Sequence, residues 1–218
     1  MFKQIKNLLL ISSLLIAQNT FAQTSTPSLL KKGTRIETIE FNAEKIQTKT
    51  KVLTVESVTA NTSKIRLVTK EKGAVTEDNV QTYRLEQGEA TWMNEAIDSK
   101  TKKPAVLIYP AEMRPGQNIN NNVTFEHTGK TPEGKEATVS VKISDRKVIG
   151  KERVTVKGGT WDCTKLSYKF SLAIKVAFIK LPFNVDAIEW YNPEVGVVKT
   201  EYSMKGTYAG YSEIASVK

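Results

Sequence analysis

The chain has one cysteine, Cys163, and one histidine, His127, in 218 residues. A single thiol cannot form an internal disulfide, so an exported domain built from this chain is held together by burial. The plain place for Cys163 is a small apolar position on a strand beside Trp161; a reactive thiol or an intermolecular bridge is the alternative. His127 sits in Glu126-His127-Thr128 with no second histidine or cysteine near it, so no metal site is expected, and a turn position accounts for it. No serine stands in a nucleophile-elbow sequence, and Gly158-Gly159 lacks the lysine and threonine spacing of a phosphate loop. No internal repeat or low-complexity block is present. Beyond the first 22 residues no apolar run is long enough to cross a bilayer as a helix. These absences set aside a disulfide scaffold, a zinc enzyme, a serine hydrolase and a phosphate-loop protein, and no cofactor is expected.

What is present begins with an address. Met1 to Ala22 carries Lys3 and Lys6, then the apolar run LLLISSLLIA, then Thr20-Phe21-Ala22 before Gln23. A basic head, a short apolar middle and small residues at the junction are the pattern of a secretory signal peptide. Residues 1–22 are therefore read as signal peptide and 23–218 as a single antiparallel β domain, periplasmic or otherwise exported, soluble or peripheral to the envelope and not transmembrane after cleavage. The whole chain has 32 basic and 23 acidic residues, a net charge of +9. The lysines are scattered, which is the pattern of a solvated face; attraction to anionic lipid or an acidic polymer is the functional alternative. The export route and the lack of an aromatic and basic groove motif argue against nucleic acid.

The rest is organised around GGTWDCTKLSYKFSLAIKVAFIKLPFNVDAIEWYNPEVGVVKTE, Gly158 to Glu201. Leu166, Tyr168, Phe170, Leu172, Ile174, Val176 and Phe178 take every second position, interleaved with lysine, serine and alanine. A period of two makes a strand with one apolar face. A helical spacing of Phe170, Ala173, Ile174, Ala177, Phe178 and Leu181 competes, but no helix cap precedes the run. The extended run spans about 40 Å at ~3.3 Å per residue, so a bend or bulge is expected inside it. Trp161 and Cys163 have the opposite parity, which requires a phase slip near Thr164 or cover on both faces there.

Short segments rich in Val, Ile and Thr fill the remainder: Thr34 to Phe41, Thr50 to Val58, Ser63 to Lys70, Val80 to Leu85, Ala90 to Met93, Ala105 to Tyr109 and Ile119 to Glu126. Thr138 to Ile143, Val148 to Val156, Val185 to Tyr191, Val195 to Met204 and Thr207 to Val217 follow. Lys72-Gly73 opens a polar connection, and Asn94 to Lys102 is the sole helix candidate. The pattern predicts an all-β fold, an antiparallel curved sheet forming a barrel or half-barrel of roughly ten strands with very little helix.

Asp145, Glu152, Asp162, Glu189 and Glu201 lie near strand ends around the organising stretch. Two of them could converge as a catalytic pair, but pairing with Arg146 or nearby lysines accounts for them, and no catalytic residue is assigned. Trp190-Tyr191-Asn192-Pro193 places two aromatic residues at a strand end, either as a plug of the barrel or as a pocket wall.

These motifs carry a resemblance. Asp145-Arg146, Glu152 with Val154 and Val156, Gly159 to Leu166, Trp190 to Glu201 and, more weakly, Tyr109-Pro110 and Gly116-Gln117 resemble the TapB-like family of uncharacterised bacterial envelope proteins. The resemblance implies an exported antiparallel β fold with no established reaction; related half-barrels shelter acyl chains. Trp161 stands where that family usually has Phe, and an apolar insert separates Lys165 from Trp190. The expectation is a non-enzymatic envelope protein that binds an apolar, lipid-like molecule. Leu166, Tyr168, Phe170, Leu172, Ile174, Val176, Phe178, Trp190 and Tyr191 are its pocket candidates. A structural module docking an envelope protein partner and a carboxylate-based hydrolase are the alternatives.

Overall fold

The computed structural model describes residues 26–97, 104–130, 136–176 and 179–218. The signal peptide assigned to residues 1–22 lies outside the described residues. Among those described, a 3-10 turn at Ser28–Leu30 precedes β1 (Arg35–Asn42), β2 (Gln47–Thr59), β3 (Thr62–Glu71), β4 (Ala74–Glu86), β5 (Glu89–Ile97) and β6 (Pro104–Tyr109). The second half consists of β7 (Val123–Lys130), β8 (Glu136–Val156), β9 (Gly159–Val176), β10 (Ile179–Asn192), β11 (Gly196–Met204) and β12 (Thr207–Val217). All pairings are antiparallel, in the order β6-β5-β4-β3-β2-β1-β12-β11-β10-β9-β8-β7. Two six-stranded meanders are thus joined through β1 and β12, and the sheet curls until β7 packs beside β5 and β6, a nearly closed barrel.

The hairpin turns follow from local chemistry. Lys72 and Gly73 both have positive φ, 49° and 83°, the backbone of a tight turn matched to strand twist. The polar connection expected there is instead this two-residue turn, and β4 starts at once at Ala74. The helix expected at Asn94 to Lys102 is also corrected: residues 94–97 continue β5, with Ile97 opposite Pro104. A segment that polar gains nothing by coiling alone, whereas strand pairing satisfies its backbone; residues 98–103 lie outside the described residues.

The organising stretch forms β9, and its register with β10 runs unbroken from Thr164 to Val176. The expected bulge lies in its other neighbour. Thr138 to Ile143 and Val148 to Val156 fuse into β8, whose register against β9 shifts between Ser144 and Lys147 and again between Val148 and Gly150, with Asp145 at φ 57°. These bulges let a long strand bend round the barrel without breaking its ladder. The parity change is met by double cover, since Cys163 and Leu166 are both buried. His127 falls within β7, opposite Val139, and not in a turn.

The core gathers Leu29, Ile36, Val55, Ile65, Leu166, Val198 and Ile214 with Tyr83 and Tyr109. Leu29 is fully buried and tied down by Ser63, whose hydroxyl donates to the Leu29 carbonyl at 2.7 Å. The β8–β9 tip folds onto β12, where the Gly158 N–H donates to the Ile214 carbonyl at 2.9 Å. A Cβ on Gly158 would stand 2.6 Å from Ile214 Cγ2, so this close approach requires glycine.

Candidate functional site

The β6 edge is covered by side chains. The Ile108 N–H donates to Asn121 Oδ1 at 2.9 Å, and Asn121 Nδ2 donates to the Val106 carbonyl at 3.2 Å. One amide therefore stands in for a strand partner. Arg146, held at the β8 bulge, donates from Nη1 to the Ile108 carbonyl at 2.6 Å and to Asn121 Oδ1 at 3.4 Å. The loop after β6 fastens to the same bulge, with Ile119 N–H on the Arg146 carbonyl at 2.8 Å and Gly116 N–H on the Val148 carbonyl at 2.8 Å.

Behind this seam lies a buried polar chain. Arg146, only 2% exposed, rests over the Tyr109 ring with Cζ 4.8 Å from its centroid. The Tyr109 hydroxyl donates to Glu189 Oε1 at 2.8 Å, and the Tyr168 hydroxyl donates to Oε2 at 3.3 Å. Tyr109 also stacks on Tyr191, with centroids 4.0 Å apart and planes 11° from parallel. Burial pushes the Glu189 carboxyl above its usual range, opposed by the charge of Arg146 and the two tyrosine hydrogen bonds. Burial likewise drives the Tyr109 and Tyr168 hydroxyls well above the ordinary tyrosine value, with the Glu189 charge adding to it. Arg146 Nη2 is buried with no hydrogen-bond partner among the described residues.

Two cavities meet at this carboxylate. One, about 290 Å³, is walled by Trp92, Leu107, Val123, Phe125 and Ile143 across the β6–β7 seam. The other, about 270 Å³, is walled by Ile36, Leu53, Leu67, Val198 and Tyr168. Gln81, Trp92, Glu189 and Val197 belong to both. A third and larger space of about 640 Å³ is an outer groove with a charged rim, lined by Glu112, Arg114, Lys151, Asp162, Cys163 and Tyr191 among others. The Cys163 thiol there is 3% exposed and pushed up to about 11, by burial first and then by Asp162 and Glu152. A thiol held protonated is a poor nucleophile.

Of the nine pocket candidates, Tyr168 lines an inner cavity. Leu166 is fully buried in the core, and Phe170, Leu172 and Ile174 are half-buried farther along β9 without lining either inner cavity. Phe178 and the Val176 side chain lie outside the described residues. Tyr191 is buried against Tyr109 and borders the outer groove. Trp190 points to the opposite face, where Lys165 and Lys199 cover its ring at 4.7 and 5.0 Å and Nε1 donates to Glu152 at 2.9 Å. The walls that the sequence reading missed are Trp92, Leu107, Val123, Phe125 and Ile143. All five stand in segments that the sequence marks as strands, Ala90 to Met93, Ala105 to Tyr109, Ile119 to Glu126 and Thr138 to Ile143, without saying which face is enclosed.

Four of the five carboxylates named from sequence are held in ion pairs, two of them, Glu152 and Asp162, along the outer groove. Asp145 pairs with Lys169 at 3.2 Å, Glu152 with Lys165 at 3.1 Å, Asp162 with Arg153 at 4.0 Å and Glu201 with Lys199 at 2.7 Å. Glu189 is the one buried acid among the described residues. No helix among the described residues is long and apolar enough to cross a membrane.

Comparison with known proteins bears on the fold. A family model described as DUF3108-like matches residues 87–214, the part of the chain that carries the motifs resembling the TapB-like family; the match does not bear out the TapB-like name. A solved structure described as an inferred exported protein with a YmcC-like fold, from Bacteroides fragilis, is 18% identical. It superposes with a TM-score of 0.70 over 88% of this chain and 98% of that one. A structure described as an inferred lipoprotein from Parabacteroides distasonis, also 18% identical, gives 0.65 over 89% of this chain and 100% of that one. No curated protein matches.

Proposed function

The chain belongs to the DUF3108-like family, and from that premise we propose that it is a non-enzymatic protein of the bacterial envelope that shelters an apolar or amphiphilic molecule inside its curved sheet. The observation that carries this reading is the pair of cavities sharing Glu189, the one across the seam almost wholly apolar in its wall and the other mixed. Spaces of about 290 and 270 Å³ offer an alkyl chain room against apolar walls, and each lies just under the roughly 300 Å³ at which small-molecule sites begin. Export to the periplasm accords with the signal-like leader and with the descriptions of the two similar structures. A non-enzymatic role draws support from the ion pairing of four of the five named carboxylates and from the buried thiol, whose pKa burial raises.

The interaction-module reading has less support. Its exposed large apolar residues, Ile46, Val75, Ile149, Phe183, Met204 and Tyr208, are spread over six different strands or turns. The test of the carrier reading is native mass spectrometry of the protein isolated from its own envelope, with uptake of the neutral probe N-phenyl-1-naphthylamine measured alongside. A co-purifying lipid-like mass is expected, as is probe uptake that falls at least tenfold when Ala105→Phe fills the cavity. An apo mass together with no probe uptake would sink the reading.

A further inference from the structure

Within the cavity across the β6–β7 seam the wall is almost wholly apolar, and Glu189 is the single charged residue in it. A carboxylate offers about four acceptor positions. Tyr109 and Tyr168 occupy one on each oxygen, at 2.8 and 3.3 Å, leaving acceptor capacity on both. Glu189 is 6% exposed, so whatever meets those free lone pairs does so out of bulk water. Arg146, whose charge acts on Glu189, is absent from the walls of both cavities, and its Nη1 is committed to Ile108 and Asn121. Gln81, shared by both cavities, can donate or accept. The second cavity differs in having Lys51 and Lys199 in its wall, already paired with Glu40 at 3.3 Å and Glu201 at 2.7 Å.

Resting on the carrier reading, we infer that the ligand of the cavity across the seam has an alkyl tail against Trp92, Leu107, Phe125 and Ile143 and a hydrogen-bond-donating polar end, ammonium or hydroxyl, received by Glu189. A carboxylate or phosphate end would bring a second negative charge beside Glu189 in a low-dielectric site, where like charges repel far more strongly than in water. An ammonium end instead forms a charge-assisted hydrogen bond, and a hydroxyl end a neutral one. Fatty acids and anionic phosphate amphiphiles are therefore the disfavoured class at this position, and long-chain amines and alcohols the favoured one.

The test is calorimetric titration of the exported protein with octylamine, octanol and octanoate, which share a tail and differ in the polar end. Octylamine and octanol binding at least tenfold more tightly than octanoate is the expected result, with the disadvantage of octanoate shrinking by at least threefold in Glu189→Gln. Octanoate binding as tightly as octylamine in the native protein overturns the inference, as does a preference that Glu189→Gln leaves unchanged. Should Glu189→Gln fail to fold, the ranking in the native protein decides alone. Failure of all three ligands to bind, with no uptake of the neutral probe, removes the carrier reading itself; binding without a ranking removes only the inference about the polar end.

Discussion

The two six-stranded meanders meet twice, and the two junctions are built differently. At β1–β12 the main chain does the joining: residues from Ile36 to Asn42 pair with residues from Val217 to Gly210, with one bulge between Glu37 and Thr38. At β6–β7 no ladder forms, and Asn121 and Arg146 reach the β6 backbone with side chains. A ladder spreads its energy over many equivalent hydrogen bonds, each worth about 1 kcal/mol net. At the seam two side chains carry the bonds to the β6 backbone, and the apolar cavity sits directly behind them. The barrel is therefore held shut on one side by a main-chain ladder and on the other by two side chains with the few main-chain bonds that fasten the loop after β6 to the β8 bulge.

That contrast predicts where the molecule breaks. Arg146→Ala is expected to cost about 4 kcal/mol, because it removes the bonds to Ile108 and Asn121 and leaves the buried Glu189 without its compensating cation. Urea melts of the folded protein measure it; a loss under about 1 kcal/mol would mean the seam does not depend on this side chain. The ladder junction has its own weak point in Gly210, at φ 142°, where an added Cβ would run into the Phe41 carbonyl oxygen. Gly210→Ala is expected to cost about 3 kcal/mol through backbone strain and overpacking against β1. If the same melts show the variant as stable as the parent, the β1–β12 contact is looser than its register implies.

Much of this architecture was legible in the residues and some of it was not, for reasons that differ by element. Strict alternation from Leu166 onward identified β9 as a strand, and turn-bounded Val, Ile and Thr segments identified the class, because period two is local information. One consequence of the same rule went unused. Trp190 and Tyr191 are adjacent on one strand, so they face opposite sides and could not both line one pocket. The cavity itself was hidden because its walls come from β4 to β8, β10 and β11, and Tyr109 meets Glu189 across 80 positions of sequence. Asp145-Arg146 was visible as a break between two strands, yet nothing local distinguishes a bulge that carries a latch from an ordinary turn. Only the return of β7 past β6 gives Arg146 something to close.

A smaller change tests the seam without touching its charge. Asn121→Ala leaves the Ile108 N–H and the Val106 carbonyl without their side-chain partner, at an expected cost of about 1 to 2 kcal/mol. Hydrogen exchange gives the sharper readout: the Ile108 amide is expected to exchange faster in the variant while the amides of Ser212 and Ile214 on the ladder junction keep their protection. Equal acceleration at both junctions would show that the barrel opens as a unit and that the distinction between them is geometric only.

The smallest effect is one of pH, and it belongs to the carboxyl behind the seam. Because burial raises Glu189 above the ordinary glutamate value of 4.5, the folded chain holds that proton more tightly than the unfolded chain does. Its contribution to stability is fully present below about 4.5 and is lost as pH rises through the higher folded value. Glu189→Gln keeps the shape and carries no such titration. Its stability relative to the native protein should therefore improve between pH 4 and pH 7, by less than either seam variant costs. The tyrosines give the sign a second check: with Gln in place, Tyr109 and Tyr168 lose a charged acceptor but keep a neutral one, so the variant remains folded at both values. A relative stability that falls over this interval would mean that Arg146 and the two hydroxyls outweigh burial, leaving Glu189 a stabilising anion.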